Sequence, residues 1–382
     1  MDSLKKGTDV QPICVPYPNN TNGVVKPILL CTSRITEDRF WANGIVQNIM
    51  FLYKIFEIGG YYPYIFMSEK PQTQSDFLKQ FRIIDRNDWN KNPFILHAYI
   101  EISLSFVAGS RKALKASGAH IYKLCLGNMV SMDIEHSIYY NDRDFPHHVI
   151  GGTDTVLFLP HHDFQQEYVS AINNIFPVAK ITPYLWEPLL IHDLYDSFQW
   201  NTKGPYSFTI MEPNISFLKC SLVPLMLCDS YYRETPGLVD GVVVVNGEIL
   251  NKSVYFKESI LQNLDLHKSK KLHLLQRFEV RKIAQTFKHN IVVMHGVNND
   301  YNNLFFEFLY LGFPVVHNYE KLRNFGYYYK DNDIKMGAKL IDTVIKTHGA
   351  NLEAYKGKNR EFFRNFSIYN PDNIKIWQSI LG

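Results

Sequence analysis

Apolar, strand-like runs take turns with helix-like stretches along nearly the whole chain, and this alternation restricts the fold more than any other feature. ILLCT (28–32) reads as a first strand. It is followed by a helix at 44–57, YPYIFM (62–67), FILHAYI (94–100), a helix at 105–116, HIYKLCL (120–126), TVLFLP (155–160), a helix from Asp163 to about Ile175, and AKITP (179–183). Short apolar runs separated by helices predict strands buried on both faces of a parallel sheet, with a helix supplying each crossover. Polarity rises at DSFQWNTKGPY (196–206), which reads as a linker, and the order then restarts. SFTIM (207–211), VDGVVVVNG (239–247), KLHLLQ (271–276), IVVMH (291–295) and FPVVHN (313–318) are the strands of a second series. At 382 residues the chain exceeds what one hydrophobic core organises. The expected fold class is α/β, with two doubly wound domains facing across a cleft. Residues 24–200 form the first and 201–370 the second, with a polar tail over 1–23 and an amphipathic helix over 371–382.

Residues 291–318, IVVMHGVNNDYNNLFFEFLYLGFPVVHN, carry the strongest functional signal. A strand ends in a Gly/Asn loop, and the helix after it is apolar on nearly every face through Leu304, Phe305, Phe306, Phe308, Leu309 and Leu311. Such a helix belongs in an interior. Asn303 and Glu307 share one face near its N-terminus, with Asn302 beside them. Open α/β sheets bind ligands outside the carboxyl ends of their strands, so these polar groups mark a crevice. The other reading is a Glu307 satisfied by a neighbouring arginine or a backbone amide. His295 and His317 flank the same loop, either as neutral donors to phosphate or sugar oxygens or as core histidines bonded to the backbone.

The second domain opens with SFTIMEPNISFLKCSLVPLMLC. A strand is expected to end at Glu212-Pro213 and a helix to begin at Asn214, a favoured N-cap residue, with Ser216 and Lys219 in its early turns. Free amides at a helix N-terminus bind phosphate, and a lysine adds a full positive charge. A pyrophosphate site is one reading, and a capped helix with a surface lysine is the other. Pro224 falls inside the run and is expected to kink it or end its first segment. Arg277, at the end of KLHLLQ, stands on the same rim as a second cation or as a partner of Glu307 or Glu212.

In the first domain FWANGIVQNIMFLYKIF (40–56) repeats this design. Asn43-Gly44 is a turn pair, and Gln47 and Asn48 interrupt an apolar helix. Gly44 lets the backbone approach a ligand, or is turn chemistry alone with Gln47 capping. HIYKLCL delivers Gly127-Asn128, after which VSMDIEHS offers Asp133, Glu135 and His136 as candidates for a general base. Acidic residues at a helix start also serve the helix dipole. His161, next to His162, lies at the following strand end as a residue of the first-domain cleft. Adjacent residues of an extended chain point apart, so no metal site is read there.

What is missing narrows the function. Lys+Arg 40 against Asp+Glu 37 gives no basic field, so nucleic acid is not an expected partner. The five cysteines have no CxxC spacing, which argues against a zinc ribbon or a disulfide scaffold. No apolar run approaches the roughly 18 residues of a membrane span, and the first residues lack the apolar core of a signal peptide, so a cytoplasmic location is expected. GxGxxG, GxxxxGK[ST] and HExxH are absent. The triplets Asp142-Arg143-Asp144 and Asp331-Asn332-Asp333 do not follow apolar strands, the context a metal-dependent sugar-nucleotide site needs.

The segments WANGIVQN, LGNMVSMDIE, PYLWEP, MEPNISFLKCSLVP, HGVNNDYNNLFFEFLYLGFPVVHN and FGYYYKDND occur in this order. With them the chain resembles a GT-B glycosyltransferase, and more narrowly an uncharacterised glycosyltransferase-like family of bacteria and large DNA viruses. The resemblance implies two Rossmann-like domains, a nucleotide-sugar donor held by the second and a glycan or glycoconjugate acceptor bound by the first. It implies that the last helix crosses back to the first domain. It also implies that Glu307 binds the ribose or sugar of the donor, that Lys219 and Arg277 stabilise the departing diphosphate, and that no metal or other cofactor takes part. The acidic pair common in retaining members would need an acid at position 299, where this chain has Asn299. A nucleotide-sugar epimerase on the same scaffold and a degenerate nucleotide-binding module are the alternatives.

Overall fold

A computed structural model describes residues 25–33, 35, 43–71, 76–103, 108–139, 150–174, 178–286 and 290–382. The polar tail over 1–23 and the Asp142-Arg143-Asp144 triplet lie outside the described residues. The chain divides into two compact units, Met1–Glu187 with Phe366–Gly382, and Pro188–Asn365. The second unit thus starts at Pro188, ahead of the expected Asn201. The polar stretch is part of its core and not a linker: Phe198 packs on Phe313 at 4.3 Å and Trp200 stacks on Tyr206 at 5.4 Å.

In the first unit β1 (Pro27–Cys31), β2 (Tyr62–Met67), β3 (Ile83–Asp85), β4 (Ala98–Glu101), β5 (His120–Cys125), β6 (Thr155–Phe158) and β7 (Val178–Ile181) form one sheet. The order is β3-β2-β1-β4-β5-β6-β7, and every pairing is parallel. PILLC of β1 is buried throughout because its strand is central and both faces are covered. β3 is the strand missed in the sequence, since three residues show no usable period. Its Asp85 ends the strand and caps the helix Arg86–Lys91 in a reciprocal box with Asp88. The last helix, Pro371–Leu381, starts with proline in its first turn after the N-cap Asn370. It buries Trp377 edge-on against Phe56 at 5.0 Å. Its C-terminal carbonyls accept from Tyr122 Oη (Ile380 O, 2.8 Å) and pair with His97 Nε2 (Leu381 O, 2.8 Å).

The second unit holds β8 (Tyr206–Ile210), β9 (Val239–Val244), β10 (Leu272–Leu274), β11 (Asn290–Val293), β12 (Val315–His317) and β13 (Tyr327–Tyr328). They are ordered β10-β9-β8-β11-β12-β13, again all parallel. In both sheets the strand order reverses beside the first strand, at β1/β4 and at β8/β11. Loops leaving those two strands diverge, which opens a crevice at the carboxyl end. Helix Asn303–Leu311 is buried on nearly all sides and stops at Gly312, whose φ of 87° is the left-handed C-cap that glycine adopts without strain. Among the described residues no helix is long and apolar enough to cross a membrane.

Candidate functional site

The β8/β11 switch point of the second unit is where polar groups accumulate without being used up. β8 runs out into Met211-Glu212, and β11 into Met294-His295. Glu212 is 0% exposed, and its Oε1 accepts the backbone N–H of His295 at 3.1 Å. Its Oε2 has no hydrogen-bond partner. A carboxyl buried like this resists ionisation, and burial pushes Glu212 up to about 7 against the opposing pull of the His295 amide and the Lys219 charge. Burial lowers the Lys219 ammonium in turn, with Glu212 holding it up.

The loop carrying Lys219 differs from the sequence expectation. The helix begins at Leu222, not at Asn214, and runs to Glu234. Asn214 instead takes a left-handed φ of 55°, tolerable for asparagine, and staples the loop. Its Nδ2 donates to Glu212 O (3.0 Å) and Asn246 O (3.3 Å), and its Oδ1 accepts from Ser221 N (2.8 Å). Ser216 and Lys219 close a tight turn through Lys219 N to Ser216 O at 3.2 Å, and Ser216 Oγ accepts from Leu218 N at 3.1 Å. Pro224 therefore falls in the first helical turn, where its missing N–H costs nothing. Ser221 occupies the N-cap position, but its side chain does not cap; the hydroxyl is fully buried without a partner.

The Gly/Asn loop after β11 closes the far side. Asn318 clamps Gly296 through two hydrogen bonds of 2.9 Å, and a Cβ on Gly296 would meet Tyr319 at 2.8 Å, so only glycine fits. Asn299 is 8% exposed with Nδ2 unpartnered. Asn302 caps the following helix, its Oδ1 accepting from Leu304 N at 3.0 Å. Asn303 and Glu307 lie on that helix at 6% and 5% exposure. His295 pairs with the Tyr329 hydroxyl through Nδ1 at 2.9 Å. His317 is consumed internally: Nε2 donates to Phe325 O at 2.7 Å and Nδ1 accepts from Tyr319 N at 3.1 Å. Both ring nitrogens being spent, it has nothing left for a ligand. Arg277 does not reach the end of a strand, because β10 stops at Leu274; it sits on an exposed loop. Asp333 of the second triplet caps the helix Ile334–Phe363 by accepting from Met336 N at 2.9 Å.

Burial holds His295, His317 and His348 at about 4, so all three are neutral at pH 7. The unfolded chain takes up these protons near 6.5, but the folded unit does not until about 4. Their contribution to stability is therefore complete above pH 6.5 and lost as the pH falls towards 4. Glu212 works in the opposite sense between 7 and its ordinary value. For the fully buried His317 and His348 the loss is about 1.4 kcal/mol per pH unit and ring. The melting temperature is expected to drop steadily between pH 6.5 and 4.5, and a flat profile by calorimetry would show that water reaches the rings.

In the first unit the sequence candidates fall at three places: the helix Gly44–Ile58, the helix Met129–Tyr139 and the segment after β6. Asn43 caps the helix Gly44–Ile58, its Oδ1 accepting from Ile45 N at 2.9 Å, so Gly44 opens that helix; Gln47 is buried one turn on. Asn128 accepts from Ser131 N at 3.1 Å as the cap of helix Met129–Tyr139. Asp133, Glu135 and His136 consequently lie in the middle of that helix, not at its start. Asp133 Oδ2 accepts from the Tyr168 hydroxyl at 2.8 Å, while Glu135 is buried and His136 half-buried. His161 is buried with its ring 3.9 Å from that of His162. Among the described residues no group of three His, Cys, Asp or Glu could hold a metal ion.

At the β1/β4 switch point the structure adds residues that the sequence did not single out. Thr32 Oγ1 and Ser103 Oγ are 3.1 Å apart, and Ser33 N donates to Ser103 Oγ at 3.0 Å. Beneath them Arg111 grips Glu101 in a two-pronged pair, Nε to Oε1 at 2.6 Å and Nη2 to Oε2 at 2.7 Å, and reaches Gly151 O at 2.5 Å. Lys123 stands 3.9 Å from the same carboxylate. The only sequence trace of this pair is a glutamate ending an apolar strand.

The sequence matches, over residues 30–381, the family described as "Protein of unknown function (DUF2827)". The chain belongs to the DUF2827 family. No curated protein matches it in sequence. Solved structures resemble it in fold. A sucrose-phosphate synthase from Thermosynechococcus elongatus superposes with a TM-score of 0.60 at 12% identity, over 93% of this chain and 98% of that one. A UDP-forming α,α-trehalose-phosphate synthase from Burkholderia xenovorans gives 0.61 at 11% identity, over 94% and 99%. An α-glucosyltransferase in complex with UDP and a 13-mer DNA containing a HMU base gives 0.58 at 10% identity, over 94% and 99%. At such identities the likeness establishes the fold, and the DUF2827 chain has the two parallel α/β sheets of GT-B glycosyltransferases.

Within this DUF2827 fold the second sheet brings Glu212, Asn214, Ser216, Lys219 and His295 to one switch point, with Ser221 and Asn299 added by the structure. His317, with both ring nitrogens spent, is not among them.

Proposed function

We propose that this DUF2827 protein is a glycosyltransferase. It holds the diphosphate of a nucleotide-activated sugar at the β8/β11 switch point and passes the sugar to a hydroxyl acceptor such as a glycan or glycoconjugate. What carries this reading is the buried polar set at that point. Beside Lys219 and the N-terminus of helix Leu222–Glu234, Glu212 Oε2 and Ser221 Oγ have no partner, and Asn299 Nδ2, on the loop after β11, has none. A buried polar atom without a partner costs about 1–3 kcal/mol, and a bound ligand is what would satisfy it. Solved structures of the same fold include a glucosyltransferase in complex with UDP, which supports the same class of donor.

In the proposed mechanism Lys219 and the helix amides stabilise the diphosphate as negative charge gathers on it when the glycosidic bond breaks. Fixed dipoles and a fixed cation need no reorganisation at that moment. Asn303 and Glu307 are assigned to hydroxyls of the donor's ribose or sugar. Glu135 and His136 of the first unit are assigned to binding the acceptor; Asp133, engaged by Tyr168, is left out. The transfer is proposed to need no metal: nucleotide release should persist in EDTA, and a strict dependence on added manganese contradicts this part of the reading.

Incubation with UDP-, GDP- and ADP-sugars, followed by chromatography of the products, tests the whole. Acceptor-dependent release of the nucleoside diphosphate is the expected result. Interconversion of the sugar without release would indicate an epimerase, and binding without any turnover a degenerate module.

A further inference from the structure

Glu212 is an awkward residue for a diphosphate site, because an ionised carboxylate there would repel the ligand. We infer that Glu212 enters the complex as a carboxylic acid, its Oε2 donating a hydrogen bond to the anionic part of the ligand, so that nucleotide and proton bind together. This rests on the donor site proposed above. Of the two carboxylate oxygens one is fixed by the His295 amide at 3.1 Å and the other has no partner, so the free oxygen is the one that must carry the proton. A lone Oε2 in a fully buried position has two ways to be satisfied: accepting from a ligand hydroxyl as an anion, or donating to a ligand oxygen as an acid. Beside a diphosphate only the second avoids like-charge repulsion.

The groups around Glu212 support that choice. Lys219 on the loop after β8 opposes the burial that pushes Glu212 up to about 7. His295 after β11 is held neutral, at about 4. Tyr319 after β12 and Tyr329 after β13 are raised by burial, with the Glu212 charge adding to it, and so is the Cys220 thiol. None of these supplies a second positive charge. A bound diphosphate engages Lys219 and brings negative charge of its own, and both effects make ionised Glu212 costlier. The balance is simple: one proton from solvent adds to Oε2 as the ligand enters, and no covalent bond breaks.

Isothermal titration of the full-length protein with UDP, GDP and ADP, at pH 8 in HEPES and in Tris, reads the proton directly through the different ionisation heats of the buffers. For whichever nucleotide binds, the expected result is uptake of between half a proton and one proton, and an affinity that falls by up to about tenfold per pH unit above 7. Glu212→Gln keeps the acceptor for His295 and replaces the acid by a permanent N–H donor. It should take up no proton, bind with little pH dependence and, at pH 8.5, bind about tenfold more tightly than the wild type. Its melting temperature at pH 8 should not fall, which controls for folding. Nucleotide binding without proton uptake overturns the inference and leaves the donor site standing. A pH slope that survives in Glu212→Gln also overturns it, by assigning the proton to Lys219. Failure of all three nucleotides to bind removes the donor site itself and the inference with it.

Discussion

Replacing Lys219 with alanine is expected to slow nucleotide release by about 10²–10³-fold, the usual cost of removing one preorganised charge donor from a transition state. The size of the effect follows from where the lysine is held. Its loop is fixed by Asn214, which bonds to Glu212 O, Asn246 O and Ser221 N, so the backbone that carries the lysine is already in place when the ligand arrives. Its charge opposes the burial of Glu212, which places the ammonium close to that carboxyl. The loss should appear mainly in kcat if Lys219 meets charge that develops in the transition state, and in KM if it only grips the ground-state diphosphate. Glu212 loses its counter-charge in the variant, so a companion Lys219→Arg protein checks that the fold persists. Steady-state rates within threefold of wild type in Lys219→Ala would take this residue out of the donor site.

The largest expected effect on stability lies in the first unit, at the pair formed by Glu101 and Arg111. Arg111→Met removes both prongs from a carboxylate that is 0% exposed, with Lys123 3.9 Å away. Breaking one half of a buried ion pair costs about 3–5 kcal/mol, because the remaining charge has lost its partner without regaining water. Urea denaturation followed by circular dichroism should show that loss in the transition of the first unit. Replacing both residues, Glu101→Leu with Arg111→Met, should recover most of it, since no uncompensated carboxylate remains. A loss below about 1 kcal/mol in the single variant would mean that the carboxylate finds water or another donor. The arginine also ties down Gly151 O, so the pair anchors the start of the β6 segment to the end of β4.

Much of the architecture was legible in the residues themselves, for reasons that are local. Strands such as ILLC and IVV are short, apolar and bounded by helices, a pattern that parallel sheets impose because both faces are covered. Asn43 was legible as half of a turn pair and Asn302 as a candidate ligand group, and the structure makes both of them helix caps. β3 was not readable, because a strand of three residues carries no period.

The site was harder to read. Asn214 has the residue type of an N-cap, yet it staples a loop, because Pro213 and the contacts to Glu212 and Asn246 set a left-handed backbone at that position. β10 stops at Leu274, so Arg277 stands on the loop three residues beyond it and not at the strand end itself. His317 has the right neighbours in sequence, but its two nitrogens are spent on Phe325 O and Tyr319 N.

The order of apolar and polar runs by itself determined the α/β class, the two series of strands and the helix that carries Asn303 and Glu307. These depend on periodicity and on a few capping residues, which act over one or two turns of chain. Only the tertiary structure decided which polar groups meet. Glu212 and His295 are 83 residues apart and are joined because β8 and β11 are neighbours in the sheet. Glu101 is met by Arg111 once the helix Ala108–Ala116 that follows β4 folds back along the sheet. Whether a buried polar atom is satisfied or left open for a ligand depends on such long-range neighbours, and no local pattern records them.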